Sequence, residues 1–186
     1  MTAVSPATLK EVTLYIGGVH ASAEATLIKT LLGSCIAVCL WDPVARVGGM
    51  NHFMLPQGDG KGDDLTRFGV HAMDCLISAT MKAGGERRRL TAKLFGGAHV
   101  LDIAVTEGGI PQRNVDFIQT FLEREGFPVL SADVGGHQPR YVHFFTDSGR
   151  ARVKRVTSVT GRPRLEPYEK PRPAPAPTYG SVTLFE

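Results

Sequence analysis

The alternation of apolar and polar positions predicts that strands dominate this chain. The segment 11–18 (EVTLYIGG) has the two-residue period of a half-buried strand. The segments 35–41 (CIAVCLW) and 47–55 (VGGMNHFML) are almost continuously apolar, and the Asp42-Pro43 pair between them indicates a turn. The pattern of 21–32 fits a helix and a strand equally well. Further strands are predicted at 90–95, 128–134, 141–145 and 150–156.

Two segments, 66–83 and 113–125, have apolar positions at the three- and four-residue spacing of an amphipathic helix. These positions are Val70, Met73, Ile77 and Met81 in the first segment and Val115, Ile118, Phe121 and Leu122 in the second. Glycine follows each segment, as it does at many helix C-termini. Because the strands outnumber the helices and do not alternate with them, we expect an α+β fold, with two principal helices and a mainly antiparallel or mixed β-sheet.

Three regions are predicted along the chain. Residues 1–10 form a flexible leader, and residues 11–160 form one domain, in which the turn at 146–149 (TDSG) leads into a closing hairpin. Residues 161–186 are rich in proline and poor in apolar side chains. They cannot bury a core, so we expect an extended or disordered basic tail.

The composition fits one globular domain that is not embedded in a membrane. The chain has 186 residues, of which 42% are hydrophobic and 21% charged, and no apolar run reaches the roughly 18 residues that a membrane helix needs. The N-terminus lacks the pattern of a signal peptide. Three cysteines do not indicate a disulfide framework, so the cytoplasm is the expected location. A monomer is the expected state.

The positive charge is concentrated at the C-terminal end. Residues 1–149 contain 13 basic and 15 acidic side chains, a net of −2, whereas residues 150–186 contain 8 and 3, a net of +5. A nucleic-acid-binding domain is expected to carry a basic face. The near-neutral body therefore argues against nucleic acid as a partner.

Cys35 and His52 are the candidate reactive pair. If the hairpin between the two apolar segments turns at Pro43-Val44, Cys35 lies directly across from His52, and opposed Cβ atoms are about 4.5–5.5 Å apart. A five-residue loop centred on Val44 instead shifts the pairing by one residue and places the two side chains on opposite faces of the hairpin. A bulge at the Gly-Gly pair of VGGM would restore their pairing. In the first arrangement a neighbouring imidazolium stabilises the thiolate and later protonates a leaving group.

Gly33 and Ser34 precede the candidate nucleophile in the sequence LLGSC. Gly33 permits a close approach of the backbone, and exposed amide groups here would hold the oxyanion of an acyl-transfer reaction. The alternative interpretation is structural. An unpaired cysteine is often a small buried apolar residue, and a histidine in an apolar strand is often a packed residue with a hydrogen-bond partner.

The other candidate residues are expected to be structural. Cys39 lies within an apolar strand and Cys75 within the first helix. No Cys-x-x-Cys or His-x-x-x-His spacing occurs, so we expect no metal. The segments FGGAH and VGGH lack the remaining residues of a phosphate-binding loop, so no nucleotide is expected. The run at 87–89 (RRR) is interpreted as a solvated turn.

Several motifs, occurring in one order, resemble the CheD family of chemoreceptor glutamine deamidases. They span residues 11–156 and are LLGSCIAVCLWDPVARVGGMNHFMLP, RFGVHAMDCLISATMKAGG, AKLFGGAHVL, QRNVDFIQTFLEREGFPVLSADVGG and RYVHFFTDSGRARVKRV. The resemblance implies an enzyme of bacterial and archaeal chemotaxis that converts chemoreceptor glutamines to glutamates. It also implies an α/β sandwich similar to the fold of the cytotoxic necrotizing factor deamidase.

The resemblance implies a catalytic set of cysteine, histidine and threonine. The cysteine corresponds to Cys35, the histidine to His52 in NHFMLP, and the threonine to Thr30 in TLLGSC. The implied role of Thr30 is to accept a hydrogen bond from the imidazole and orient it. Asn51 is an alternative, but it should point to the other face of its strand.

The resemblance further implies a mechanism through a thioester on Cys35, without a metal or an organic cofactor. The same chemistry would also hydrolyse glutamyl methyl esters as a side reaction. A CheC-type phosphatase is an implied partner, so a non-catalytic or dual-function regulator that binds such a phosphatase is the alternative function.

Overall fold

The computed structural model describes residues 9–55, 63–100 and 109–156, with the backbone alone over 63–67. The predicted tail and the predicted leader through residue 8 lie outside these residues. The strands are β1 Lys10–Thr13, β2 Val19–Ser22, β3 Thr26–Leu32, β4 Ile36–Asp42, β5 Val47–Asn51, β6 Thr91–Gly96, β7 Val129–Val134, β8 Arg140–Phe145 and β9 Ala151–Arg155. The helices are α1 Asp63–Lys82 and α2 Ile110–Arg124, and a 3₁₀ turn spans Arg87–Arg89.

The strands form two sheets. The four-stranded sheet has the order β1-β3-β8-β9, and the five-stranded sheet has the order β2-β5-β4-β6-β7. The β1/β3 and β6/β7 pairs are parallel and the others are antiparallel. The five-stranded sheet packs α1 and α2 on one face and the four-stranded sheet on the other. This arrangement confirms the predicted α+β class. Within the described residues, no helix is long and apolar enough to cross a membrane.

Strand β4 is apolar on both faces because it lies in the middle layer. Ile36 and Val38 point toward the helices, whereas Ala37 and Cys39 point toward the four-stranded sheet. Cys35, directly before β4, belongs to the second set. Its side chain therefore enters the layer between the two sheets, which we call the inter-sheet core.

The ambiguous segment 21–32 forms the end of β2 and the whole of β3. A turn separates the strands, where the Ser22 hydroxyl accepts a hydrogen bond from the Glu24 N–H at 2.9 Å. Strand β3 pairs with β8, and Thr30 lies opposite Val142. Pairing with a strand so distant in sequence decides the conformation, and local pattern does not reveal it.

The β4–β5 hairpin has a register that differs from both predictions. Asp42 pairs with Val47, so the loop contains the four residues 43–46. The carboxylate of Asp42 accepts hydrogen bonds from the Val44 and Ala45 N–H groups at 2.9 and 3.1 Å. These contacts hold a four-residue loop centred between Val44 and Ala45, and the Asp42-Pro43 signal alone does not specify that centre.

The register is displaced by two positions from the predicted direct pairing. Ile36 forms a bridge with Phe53, which places Cys35 across from Met54 rather than across from His52. The predicted direct opposition is therefore wrong. A displacement of two residues preserves the faces of a strand, so Cys35 and His52 both remain on the side of the inter-sheet core.

Candidate active site

Thr30 and His52 meet in the inter-sheet core from opposite sheets. Thr30 is buried on the inward face of β3, and His52 is buried directly after the last residue of β5. Thr30 Oγ1 and His52 Nδ1 are 2.8 Å apart. The structure thus brings together two residues of the predicted set.

The hydrogen bonds of Thr30 assign the tautomer of His52. Thr30 Oγ1 donates its single proton to the Leu14 carbonyl at 2.9 Å, so it accepts a hydrogen bond from the His52 Nδ1–H. The Nε2 atom of the neutral imidazole then carries the lone pair. His52 Nε2 is buried and has no hydrogen-bond partner among the described residues. A buried acceptor without a partner is rare, and it marks an atom available to receive a proton.

The loop 14–18, between β1 and β2, holds His52 from both sides of its backbone. The Gly17 N–H donates to the His52 carbonyl at 2.7 Å, and the His52 N–H donates to the Gly18 carbonyl at 3.0 Å. Burial lowers the pKa of His52, and the nearby Leu14 carbonyl offsets part of that effect. His52 is therefore held as a neutral imidazole at neutral pH.

Cys35 lies in the turn 33–35 (GSC) between β3 and β4, and it is 8% exposed. Its Sγ atom is 3.9 Å from the Met54 Sδ atom. Burial raises the pKa of the Cys35 thiol, and the Ser34 hydroxyl and the backbone N–H of Cys35 itself offset part of this effect. The resting pair favoured by burial is a thiol and a neutral imidazole, rather than the thiolate and imidazolium that the sequence alone suggests.

The structure does not place Cys35 in hydrogen-bond contact with His52. Met54 is the contact of the Cys35 Sγ atom, and the His52 Nε2 atom has no partner in the described part of the chain. Both side chains nevertheless face the inter-sheet core from adjacent strands of one hairpin. The two side chains do not form a hydrogen-bonded pair in this structure.

The turn 33–35 is fastened through its carbonyl groups. The Gly33 carbonyl accepts a hydrogen bond from the Ala98 N–H and the Cys35 carbonyl from the Gly97 N–H, both at 2.8 Å. The N–H groups of Ser34 and Cys35 donate to no backbone carbonyl among the residues that the structure describes. Two amide donors are thus available beside the sulfur atom.

Asn114 on α2 joins this turn to the segment that follows His52. Its Nδ2 donates to the Ser34 carbonyl at 2.8 Å, and its Oδ1 accepts from the Leu55 N–H at 2.9 Å. Asn114 is fully buried, and sequence analysis did not identify it. The available signal was its position beside Val115 on the apolar face of a predicted helix, because a polar side chain there needs buried partners.

The alternative residues lie in other environments. Asn51 faces α1, where its Oδ1 accepts from the Val38 N–H at 3.0 Å and its Nδ2 donates to the Ala72 carbonyl at 3.1 Å. Cys39 is fully buried, and burial strongly raises its pKa. Cys75 lies on α1. In the described part of the chain, no group of three or more His, Cys, Asp and Glu side chains is arranged to hold a metal.

The three arginines at 87–89 are not simply a solvated turn. Arg89 binds the buried carboxylate of Asp42, with 2.7 Å between Nη2 and Oδ2, and Arg87 pairs with Glu125. Arg88 is exposed, whereas Arg87 and Arg89 are partly buried. The prediction is wrong for Arg89 because Asp42, at the end of β4, is buried and needs a cationic partner.

Comparison with known proteins agrees with the motifs. The family model described as CheD chemotactic sensory transduction matches residues 54–155. The protein named probable chemoreceptor glutamine deamidase CheD from Stenotrophomonas maltophilia (strain K279a) is 40% identical over 165 residues, covering 88% of this chain and 83% of the relative. Proteins of the same name from Agrobacterium fabrum (strain C58) and Caulobacter vibrioides (strain NA1000) are 41% identical over 160 residues and 43% identical over 172 residues.

The matches to these relatives extend through the candidate site, whereas the family-model match begins after His52, at residue 54. The Agrobacterium match covers 86% of this chain and 87% of the relative, and the Caulobacter match covers 91% and 90%. A match over 91% of a chain of 186 residues includes the segment that carries Thr30, Cys35 and His52. The family model covers more than half of the chain as well. The chain therefore belongs to the CheD family.

Proposed function

We propose that this protein is a chemoreceptor glutamine deamidase of bacterial chemotaxis, which hydrolyses the side-chain amide of receptor glutamines to glutamate. The names of its relatives support this activity. The observation that carries the proposal is the Thr30–His52 hydrogen bond. It leaves the lone pair of Nε2 available on the face of the hairpin that also carries Cys35.

The reaction begins with attack of the Cys35 Sγ atom on the amide carbon of the glutamine. His52 Nε2 takes the thiol proton as the carbon–sulfur bond forms, because burial disfavours a preformed thiolate. Thr30 accepts the hydrogen bond from Nδ1–H throughout and stabilises the imidazolium that forms. The N–H groups of Ser34 and Cys35, with the close approach that Gly33 permits, stabilise the tetrahedral oxyanion.

Two further steps complete the hydrolysis. His52 returns the proton to the amide nitrogen, the carbon–nitrogen bond breaks, and ammonia leaves a thioester on Cys35. Water then loses a proton to His52 and attacks the thioester carbon, which releases glutamate and restores the thiol. Water and the amide are the only reactants, so these steps balance without a metal or an organic cofactor. A thiol nucleophile must stay reduced, which fits action in the cytoplasm.

The position of Met54 defines what must change for the reaction. The Cys35 Sγ atom contacts Met54 Sδ in the resting protein, and we propose that rotation of the thiol about its Cα–Cβ bond brings the sulfur toward His52. Catalytic hydrogen bonds are often long without substrate and shorten when it binds. Binding of the receptor glutamine is the event that we expect to displace the thiol from Met54.

The same acyl chemistry acts on a glutamyl methyl ester, with methanol as the leaving group in place of ammonia. The thioester and its hydrolysis are unchanged, so methylesterase activity is a proposed side reaction. Hydroxylamine intercepts a thioester as a hydroxamate. Absence of hydroxamate from a methylated receptor, under conditions that yield it from the amidated receptor, would contradict this side activity.

A non-catalytic regulator that binds a CheC-type phosphatase is the alternative. The resting geometry favours it in one respect, since Cys35 and His52 are not in hydrogen-bond contact. Such a protein would keep the fold and a binding surface but would not change the receptor. A dual-function protein would do both.

The test is peptide mass spectrometry of a cognate chemoreceptor cytoplasmic domain after incubation with the wild type, Cys35→Ala and Cys39→Ala. We expect conversion of glutamine to glutamate with the wild type and with Cys39→Ala, because Cys39 lies deeper in the same core. We expect none with Cys35→Ala. Equal conversion by Cys35→Ala would overturn the role of Cys35 as the nucleophile. No conversion by the wild type would overturn the deamidase and favour the regulator.

A further inference from the structure

A continuous groove follows the outer face of the four-stranded sheet. One cavity of 790 Å³ is lined by the loop 14–18 and neighbouring strands, and its wall includes Thr30 and His52. A second cavity of 430 Å³ is lined by β8 and β9, and the two share Tyr141 and His143. Both described helices pack on the other sheet, so in the described part of the chain no helix covers this face.

The groove has an exposed apolar floor and rim. Tyr15 and Ile16, at the tip of the loop 14–18, are 77% and 59% exposed, and Leu31 and Tyr141 are 47% and 45% exposed. Leu31 lies opposite Tyr141 in the β3/β8 pair, so their side chains are neighbours on one face. Clustered exposed aromatic and aliphatic side chains are typical of an interaction surface.

The same face is basic. Lys154 lies opposite Tyr141, and Arg152 lies opposite His143 in the β8/β9 pair. Lys29 is paired with Glu11. Within the described residues, no carboxylate lies within salt-bridge distance of Arg152 or Lys154. This excess of positive charge complements a partner with acidic side chains.

The groove is physically continuous with the residues that orient the imidazole. The loop that exposes Tyr15 and Ile16 also supplies the Leu14 carbonyl to Thr30. Its two glycines hold the backbone of His52. Cys35 does not line the larger cavity, so a partner in the groove contacts the site from the side of Thr30 and His52.

We propose that this groove binds an amphipathic segment of the receptor substrate in which acidic side chains lie beside apolar ones. The apolar side chains contact the Tyr15–Ile16 tip and the Leu31–Tyr141 pair, and the acidic ones contact Arg152 and Lys154. The inference rests on the proposed function, because the occupant is the receptor that carries the glutamine. It adds the surface and the chemistry by which that receptor is recognised.

The first test is charge reversal in the inactive Cys35→Ala background, with binding to the cognate receptor cytoplasmic domain measured by fluorescence anisotropy. We expect Arg152→Glu/Lys154→Glu to weaken binding about tenfold at low salt and to reduce its salt dependence. The matched control is Arg88→Glu/Arg124→Glu, which reverses two exposed arginines away from this sheet. We expect the control to bind within twofold of the background protein.

The second test removes the apolar contacts. We expect Tyr15→Ser/Ile16→Ser to weaken binding about tenfold, as loss of an aromatic anchor does at other interfaces. The control is Val129→Ser/Leu130→Ser, an exposed apolar pair on β7 of the other sheet. In proteins that retain Cys35, we expect the charge-reversal pair to raise KM for the receptor about tenfold and to leave kcat within twofold.

The outcomes separate this inference from the proposed function. A wild type that modifies the receptor, combined with groove variants that bind as tightly as their controls, overturns the groove alone. A wild type that neither binds nor modifies the receptor overturns both. Groove variants that lose self-association in sedimentation velocity, but bind the receptor normally, show that a second copy of this chain is the occupant and overturn the proposal.

Discussion

The two ends of strand β4 both carry a buried polar network, and the networks differ in how completely they are satisfied. At the C-terminal end, the Asp42 carboxylate accepts from the N–H groups of Val44, Ala45 and Glu86 and from Arg89. At the N-terminal end, within the described residues, His52 Nε2 has no hydrogen-bond partner, and the Ser34 and Cys35 N–H groups donate to no backbone carbonyl.

This difference separates a structural network from a reactive one. A fully satisfied carboxylate stabilises the fold and has no remaining capacity for a ligand. A buried imidazole nitrogen without a partner has a cost in stability, and a substrate that supplies a donor would remove that cost. We therefore propose that the start of β4 carries the acyl-transfer site, whereas its end anchors the hairpin.

After Cys35→Ala, which removes the thiol, His52→Gln is expected to have the largest effect on kcat. Glutamine keeps a polar side chain of similar size but cannot act as a base at neutral pH. General acid–base catalysis contributes about 10²- to 10⁴-fold, so we expect a loss of this size in kcat for receptor deamidation. The measurement is the rate of glutamate formation by mass spectrometry at saturating receptor. A loss of less than about threefold would contradict the role of His52 as the base.

Asn114→Asp is expected to lower kcat about ten- to hundredfold. The carboxylate can still accept from the Leu55 N–H but cannot donate to the Ser34 carbonyl, so the turn that carries Cys35 is displaced. A buried control is Thr80→Val, which removes the hydrogen bond from Thr80 Oγ1 to the Leu76 carbonyl on α1. If Thr80→Val is destabilised as much as Asn114→Asp and loses kcat to the same degree, Asn114 has only a structural role.

Thr30→Val is expected to lower kcat about tenfold, which corresponds to about 1.4 kcal/mol of lost orientation. Valine has the same shape but cannot accept from the His52 Nδ1–H. Thr30→Ser keeps the hydroxyl and should recover most of the activity. Thr146→Val removes a buried hydroxyl that binds the Thr26 N–H and the Glu24 carbonyl, and it serves as the stability control. Failure of serine to rescue kcat would count against orientation by the hydroxyl.

Asp42→Asn should have the smallest effect on activity, within twofold, and the clearest effect on stability. Removing the charge weakens the contacts with Arg89 and the loop, and we expect a loss of about 2 kcal/mol in the free energy of unfolding at pH 7. Hydrogen bonds from Arg89 hold the pKa of Asp42 well below its usual range.

The sign of the pH dependence follows from that shift. The stability that Asp42 contributes is fully present above its unfolded pKa of about 3.9 and is lost as the pH falls toward the lower folded pKa. The difference between wild type and Asp42→Asn, measured by urea unfolding, should therefore narrow below about pH 4. A constant difference from pH 7 to pH 2 would show that charge is not its source.

The fold was predictable wherever the local pattern agrees with the tertiary contacts. The two-residue period of β8 and the helical period of α2 are both visible in the sequence. The segment 21–32 was not predictable, because its pairing with β8 is distant in sequence. The hairpin register depended on hydrogen bonds from the Asp42 side chain, which the turn signal does not specify.

The residue types of the candidate site could be proposed from the sequence, whereas its electrostatics could not. Cys35 and His52 were identified from spacing, and Thr30 from the family resemblance. The tautomer of His52 depends on the Leu14 carbonyl, which reaches Thr30 only after β1 and β3 pair. Asn114 was missed because one buried amide within an amphipathic helix does not change its period.

The most direct test of the central claim is interception of the thioester with hydroxylamine during receptor turnover, read by peptide mass spectrometry. The account predicts a hydroxamate at the receptor glutamine that increases with hydroxylamine concentration. It should form with the wild type and with Cys39→Ala, and be absent with Cys35→Ala. Glutamate that forms without any hydroxamate at saturating hydroxylamine, or hydroxamate that forms with Cys35→Ala, would contradict acyl transfer at the start of β4.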